Sequence, residues 1–118
     1  KALHDGGVPV IFGTDAPQQF SVPGFSVHRE MALMLRSGLT PYQVLLTATR
    51  NAGEYHKDKA RFGTVAAGSR ADLILVDGDP LKDLSNVARR AGVMVRGRWL
   101  AEGEIQKRLA GIAAPGKP

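Results

Sequence analysis

The hydrophobic pattern of the chain opens with a short apolar run that ends in polar residues. Residues 8–12 are apolar and rich in β-branched side chains, which predicts a buried strand rather than a helix. The run ends at Gly13, Thr14 and Asp15. A carboxylate at the carboxyl end of a strand lies where α/β folds usually carry their chemistry. Asp15 is therefore the first candidate functional residue; the alternative is an Asx-turn residue that only begins a turn.

Two helices are predicted after this strand. Apolar residues between Val27 and Leu35 recur at helical spacing, with charged residues on the opposite side. The second helix has a clear start, because Thr40 is a good N-cap and Pro41 suits the first helical position. Gln43 completes a capping box with Thr40. Both helices need a surface to pack on, and one short strand does not provide enough.

From about residue 61 onwards, the apolar residues have the spacing of β-strands instead of that of helices. Residues 62–68 predict a short strand that ends in a tight turn, and residues 71–77 predict a nearly continuous apolar strand. Two further strands flank Gly97 and Arg98, which are predicted as a two-residue hairpin turn with glycine first. An amphipathic helix is expected around residues 104–109. Because so few strands cannot bury both faces of a sheet, partner strands are expected from outside this chain.

Composition narrows the class of protein. Of the 118 residues, 43% are hydrophobic and 23% charged, which is typical of a globular protein and argues against disorder. The absence of cysteine excludes disulfides, thiolate metal ligands and a cysteine nucleophile. It is compatible with a cytoplasmic location, which is the location we expect. No apolar run approaches the ~18 residues of a membrane span, so no membrane partner is expected.

A formal charge of +5 raises the question of nucleic-acid binding. The densest basic cluster runs from His56 to Arg61, but it contains Asp58 and has aromatic residues only at its edges, Tyr55 and Phe62. No zinc-finger spacing, RNA-binding signature or helix-turn-helix pattern accompanies it. We therefore expect a solvated basic surface and no nucleic-acid partner. A small basic domain that binds acidic partners is the weakest of the alternatives.

Several motifs, in this order, resemble the end of the amidohydrolase superfamily. They are Gly13-Thr14-Asp15-Ala16, His28-Arg29-Glu30, Ser37-Gly38-Leu39-Thr40-Pro41 and Ala48-Thr49-Arg50-Asn51-Ala52. The likeness is greatest to the imidazolonepropionase-like and prolidase-like branch. Gly63-Thr64-Val65 and the stretch from Gly68 to Leu73 look like the small β domain of that superfamily. The likeness covers roughly residues 6–100, and the order of the motifs is more specific than Gly-Thr-Asp by itself.

The resemblance implies an α/β architecture. The chain would form the C-terminal end of a (β/α)8 TIM-like barrel and part of a small β-sandwich domain. Residues 1–60 would contain the last barrel strand and its helices, and residues 61–100 the C-terminal part of the sandwich. Residues 101–118 would form a terminal helix and a loose tail.

The resemblance also implies a reaction. In such enzymes the residue matching Asp15 ligates a divalent metal, with zinc the first candidate, and takes a proton from the water bound to it. A divalent metal lowers the pKa of that water from 15.7 towards ~7, which makes a carboxylate an adequate base. The reaction expected is hydrolysis of a C–N bond in a small amide, a cyclic amide or a dipeptide. His28 is the candidate for lining the substrate pocket, because its helix follows the loop from Asp15.

The other metal ligands of the superfamily do not match any residue of this chain. A catalytic zinc site uses three protein ligands and an open position, and Asp15 supplies one. The three histidines, His4, His28 and His56, have no ligand spacing and favour surface or capping roles. The chain also begins with Lys1 in what looks like a helix end, so we expect the missing ligands in an N-terminal part of the same protein.

Two hypotheses remain open from the sequence. The chain is either the terminal portion of a metal-dependent amidohydrolase, inactive by itself and without bound metal, or a truncated, non-catalytic folding or association module. In both cases unpaired strand edges predict a homo-oligomer or an aggregation-prone chain.

Several other polar residues have structural interpretations. Thr14 is expected to support the turn at Asp15. Glu30 is expected to pair with Arg29 or cap its helix, with contact to substrate as the alternative. Asp72 and Asp77 bracket a predicted strand and are interpreted as structural.

Overall fold

The structure, a computed structural model, describes residues 1–58 and 60–113. The part of the predicted loose tail from residue 114 to 118 lies outside the described residues. None of the helices in the described part is long and apolar enough to cross a membrane. The helices are α1 (Ala2–Asp5), α2 (Ser26–Arg36), α3 (Pro41–Ala48), α4 (Arg50–Tyr55) and α5 (Glu102–Ala113).

The strands lie in the second half of the chain. Strands β1 (Leu73–Val76), β2 (Arg90–Val95) and β3 (Arg98–Ala101) form an antiparallel sheet in the order β1-β2-β3. A short 3-10 helix, Leu84–Ala88, connects β1 to β2. The combination of helices and sheet confirms the mixed α/β class.

Helix α3 begins as its sequence predicts. The backbone N–H of Gln43 donates to Thr40 Oγ1 at 3.3 Å, and the backbone N–H of Thr40 donates to Gln43 Oε1 at 2.9 Å. Pro41 takes the first helical position, where a missing N–H costs nothing. This reciprocal cap confirms the predicted capping box and fixes where the chain turns into α3.

The core joins the two halves of the chain. Met31 of α2 and Val44 of α3 are buried together with Leu84 of the 3-10 helix. Because Leu84 comes from the strand-bearing half, the helices and the sheet region share this cluster. Among the described residues, the buried apolar side chains are Met31, Leu39, Val44 and Leu84, with Phe12, Met34, Leu35, Leu45, Ala48 and Val87 packed around them.

The first predicted strand is not a strand in the described structure. Exposure alternates along it: Val10 and Phe12 are half-buried while Ile11 between them is exposed. Phe12 donates its N–H to the Thr47 carbonyl at 3.1 Å, and Asn51 Nδ2 donates to the Val10 carbonyl at 2.8 Å. The predicted strand does not form among the described residues because no described segment pairs along its edges, and its burial is one-sided because only the face with Val10 and Phe12 is covered.

The predicted strand at residues 62–68 is also absent from the described structure. The backbone of this segment lies directly against α4 and against Thr49, the residue that precedes α4. A Cβ on Gly53 would lie 2.1 Å from the carbonyl oxygen of Phe62, and one on Gly63 would lie 2.4 Å from the carbonyl oxygen of Thr49. We call these two backbone contacts, Gly53 with Phe62 and Gly63 with Thr49, the glycine crossing. Because the backbone there contacts a helix, it does not form a strand ladder.

The hairpin between β2 and β3 turns one residue earlier than predicted. Val95 pairs with Arg98, so Arg96 and Gly97 form the turn. Their φ angles of 49° and 81° are both positive, as in a type I′ turn. Asp72 explains why a non-glycine residue is held there, since its Oδ1 accepts the Arg96 N–H at 2.7 Å. Asp72 is thus structural, as predicted.

The described chain is open for its size. Its accessible surface is 8659 Å², whereas a compact monomer of 12.6 kDa exposes about 6,200 Å². The radius of gyration is 15.8 Å, against about 13 Å for a compact domain of this length. Much of the excess is apolar, and the exposed large side chains include Leu3, Val8, Ile11, Phe20, Val22, Phe25, Leu33, Ile74, Leu75, Val95 and Ile112.

The crossing at Gly53 gives a first prediction. Gly53→Ala places a methyl group against the Phe62 carbonyl, and overpacking of this kind costs about 1–3 kcal/mol. We expect urea denaturation to show a loss in that range. Gly103→Ala is the matched control, because a Cβ there meets nothing within 4 Å in another helix, α5. Equal stability of the two variants would contradict the close backbone contact between Gly53 and Phe62.

The hydrogen bonds of Asp72 predict a pH dependence. The bond from the Arg96 N–H, and then that from the Arg70 side chain, hold the pKa of Asp72 below its ordinary value. The resulting stabilisation is complete above the unfolded-state pKa of about 3.9 and is lost as the pH falls through the lower folded-state pKa.

The test compares the urea midpoint of the natural protein with that of Asp72→Asn as a function of pH. The advantage of the natural protein is expected to be constant near neutral pH and to shrink below about pH 4. If the difference between the two urea midpoints stays constant into strong acid, the charge of the Asp72 carboxylate contributes nothing to stability.

Candidate active site

Asp15 lies at the end of the extended segment that α3 and α4 hold in place. Its carboxylate is exposed, and its backbone φ is 52°. Aspartate tolerates this left-handed region better than most residues, because its short side chain bonds locally. The Oδ2 atom accepts a hydrogen bond from Gln18 Nε2, and no hydrogen bond to Oδ1 is found among the described residues. One carboxylate oxygen is thus held and the other is accessible.

The loop after Asp15 folds back on its own start. The Ser21 hydroxyl donates to the Thr14 carbonyl at 3.3 Å, and the Ser21 N–H donates to the Gln18 carbonyl at 2.9 Å. At the far end of the loop, Ser26 Oγ accepts the N–H of Val22 at 2.8 Å and ties the loop to the start of α2. Thr14 therefore takes part in holding the turn, in keeping with its predicted supporting role.

The same loop contains another non-glycine residue with a left-handed backbone. Phe20 has φ 64°, and its side chain is 86% exposed. A large apolar side chain in this conformation is unusual and costs about 1–3 kcal/mol. Such conformations are concentrated at functional sites, where surrounding contacts maintain them. Together with Asp15, Phe20 marks this loop as the candidate site.

An open cleft of about 340 Å³ lies between the loop and α2. Glu30 is half-buried at this cleft, and Arg29 is exposed beside it. Among the described residues, Glu30 neither pairs with Arg29 nor caps α2, so the expected structural roles are not found and contact with substrate stays a prediction. The lining residues are Thr14, Gln19, Phe20, Ser21, Ser26, Arg29, Glu30 and Leu33.

His28 faces a different cavity. It lines a pocket of about 200 Å³ between α2 and the 3-10 helix, together with Met31, Leu35, Asp83 and Leu84. Neither Asp15 nor Thr14 lines this pocket, and Asp15 is not among the residues that line the cleft at Thr14 either. The structure therefore does not bring His28 into one pocket with Asp15, and a substrate-binding role for His28 stays a prediction.

The other histidines have packing or surface positions. His56 stacks on Phe62 with ring centroids 6.2 Å apart and meets the edge of Tyr55 at 4.8 Å. His4 lies in the short helix α1. The surface or capping roles expected for these histidines stay predictions.

The described residues supply one suitable metal ligand in the candidate site. An exposed carboxylate such as Asp15 is a suitable oxygen ligand for a divalent cation. Within residues 1–58 and 60–113, no group of three His, Cys, Asp or Glu side chains is placed to hold a metal ion. Asp15 therefore fits a metal site as one member of a larger ligand set.

Sequence reasoning did not single out Gln18 and Asn51. Gln18 holds the Asp15 carboxylate, and Asn51 holds the backbone of the segment that leads to it. A polar residue three positions after Asp15, past Pro17, was a possible signal for a turn contact. The role of Asn51 depends on a contact across 41 positions of the chain, which no local pattern reveals.

Comparison with known proteins establishes the class. The sequence profile of the amidohydrolase family matches residues 1–100. The chain therefore belongs to the amidohydrolase family. Members of this family are generally metal-dependent hydrolases.

Individual relatives fall in the branch expected from the motifs. Imidazolonepropionase from Shouchella clausii (strain KSM-K16) is 29% identical over 113 residues, which cover 89% of this chain and 24% of the relative. A Xaa-Pro dipeptidase with methionine bound in its active site superposes with a TM-score of 0.72 at 25% identity, covering 85% of this chain and 24% of that one. A prolidase complexed with N-methylphosphonate-L-proline gives a TM-score of 0.65 at 29% identity, covering 83% and 24%.

These comparisons confirm the resemblance to the imidazolonepropionase-like and prolidase-like branch. The likeness covers only part of each relative, because the chain spans about a quarter of the length of the relatives it matches.

Proposed function

We propose that this chain supplies Asp15 as a metal ligand and general base to a metal-dependent amidohydrolase. The reaction is hydrolysis of a C–N bond in a small amide, a cyclic amide or a dipeptide. The observation that carries the proposal is the geometry of the Asp15 carboxylate: Oδ2 is held by Gln18, and Oδ1 is accessible at the end of a segment anchored on two helices.

The relatives support the substrate class. Two of the similar structures are named as a Xaa-Pro dipeptidase and a prolidase, and one is complexed with N-methylphosphonate-L-proline. The similar curated protein is named as an imidazolonepropionase. A small dipeptide or a cyclic amide is therefore the substrate that we propose for this chain.

Asp15 has what the chemistry requires of a base. A divalent metal such as zinc, when bound, supplies a Lewis acid that lowers the pKa of a coordinated water towards about 7. Asp15 would accept the proton of the attacking water at Oδ1, while the bond from Gln18 keeps the carboxylate oriented. The protonated carboxyl would then return that proton to the leaving nitrogen.

We also propose that residues 8–12 are the last strand of a (β/α)8 barrel and that residues 61–100 belong to a small β-sandwich. The alternating exposure of the first segment supports this, because Val10 and Phe12 are half-buried on one face while Ile11 is exposed on the opposite face, which would look into the barrel. The apolar side chains exposed on β1, Ile74 and Leu75, support a covering layer on the sheet. An N-terminal part of the same protein is the partner that we propose for both surfaces.

A non-catalytic folding or association module is the second candidate. The observation that favours it is that the described residues provide no complete metal-ligand set. The large exposed apolar surface fits association as well as it fits a missing barrel.

Substitution of Asp15 tests the proposed role. In the complete enzyme we expect Asp15→Asn to reduce kcat/KM for a dipeptide or cyclic amide by at least about a hundredfold, the lower end of general-base contributions. Because Asp15 is exposed, the thermal midpoint should change little. Asp58→Asn, another exposed carboxylate, is the control and should keep its activity. Near-normal turnover in Asp15→Asn would refute the assigned role.

Metal content distinguishes the two candidate functions. The 118-residue chain purified alone with excess zinc is expected to hold less than one equivalent, since one carboxylate does not make a site. The full-length protein is expected to hold at least one equivalent by elemental analysis. A full-length protein without metal would favour the association module.

A further inference from the structure

Two residues of the basic cluster noted in the sequence, Lys57 and Arg61, line a separate cleft. This basic cleft, of about 210 Å³, lies between α4 and residues 61–69. Its polar lining consists of Arg50, Glu54, Lys57, Arg61, Thr64 and Ser69. None of these residues lines the cleft beside Thr14, so the two sites are distinct.

The walls of the basic cleft are held at a fixed separation. The glycine crossing brings the backbone of Gly53 against that of Phe62, with no room for a side chain at Gly53. The N–H of Arg70 donates to the Arg61 carbonyl at 2.7 Å, and the Arg70 guanidinium lies 4.9 Å from the centre of the Phe62 ring. These contacts hold the backbone at Arg61 in place.

The charges of the basic cleft do not balance. Lys57 pairs with Glu54 at 2.7 Å, and that bond lowers the pKa of the Glu54 carboxyl. Within the described part of the chain, neither Arg50 nor Arg61 makes an ion pair. The Arg61 guanidinium instead lies beside the turn at Gly68, where a Cβ would be 3.7 Å from its Nη1. Among the described lining residues, the single carboxylate of Glu54 therefore faces three basic side chains, those of Arg50, Lys57 and Arg61.

From these observations we propose that the basic cleft binds a small phosphate-type dianion. Arginine presents several N–H donors in a planar fork that matches the oxygens of a phosphate, and such charge-assisted bonds are stronger than neutral ones. The hydroxyls of Thr64 and Ser69 add donors on the wall opposite α4. A volume of about 210 Å³ admits a single phosphoryl group with a small substituent, and a duplex is too large for it.

Titration with inorganic phosphate tests this site. Binding to the purified protein is measured by calorimetry at constant ionic strength, with chloride as the competing anion, because salt screens unspecific attraction. We expect saturable binding at millimolar phosphate, with a dissociation constant about tenfold higher in Arg50→Gln and in Arg61→Gln, as the loss of one charged hydrogen bond predicts. The double variant should show no saturable binding.

Arg36→Gln is the matched control. It removes the same charge from an exposed residue at the end of α2, outside the basic cleft, and should bind phosphate as the natural protein does. Melting curves without phosphate show whether each variant is folded. Equal weakening in Arg36→Gln, or no saturable binding by the natural protein, would overturn the proposal, as would binding of duplex DNA in place of phosphate.

A phosphate monoester such as glycerol phosphate distinguishes the sources of the dianion. Tighter binding of the monoester would identify a phosphorylated small molecule as the ligand, and equal binding would identify the free ion. Both results support the site. Hydrolysis by the Asp15 variant is a separate readout, so failure of the phosphate site leaves the proposed activity untouched.

Discussion

The structure depends most on the attachment of one extended segment to two helices. Two hydrogen bonds, from Phe12 to the Thr47 carbonyl and from the Asn51 side chain to the Val10 carbonyl, tie this segment to α3 and α4. Phe12 also packs against the core around Val44, which is fully buried. Because Asp15 follows three residues after Phe12, these contacts determine where its carboxylate lies.

The same attachment explains why local patterns predicted some elements and missed others. The capping box at Thr40 and the apolar stripe of α2 are local, so the sequence was sufficient for them. The segment ending at Phe12 has a strand-like composition, but a strand also requires a neighbour along its edge. Its one-sided burial follows from which segments lie beside it, and a pattern of residues does not contain that information.

A second limit of prediction from local patterns is seen in residues 62–68 and in the β2–β3 hairpin. At Gly63 the strand-like pattern gives way to a backbone contact with α4 that only glycine permits. At Arg96 the turn moved by one residue because Asp72, far away in the sequence, holds the Arg96 N–H. The candidate site follows the same rule. Asp15 was found from its motif, whereas Gln18 and Asn51 became visible only through their contacts.

The position of Asp15 is therefore prepared without a metal. Its Oδ2 is engaged by Gln18, its backbone conformation is held by the Thr14–Ser21 bond, and the extended segment before it is anchored by two helices. A ligand that is already oriented loses less conformational freedom on binding, which favours metal affinity. Under the proposed function, local contacts orient one carboxylate, and the proposed N-terminal part of the protein would supply the ligands that complete the site.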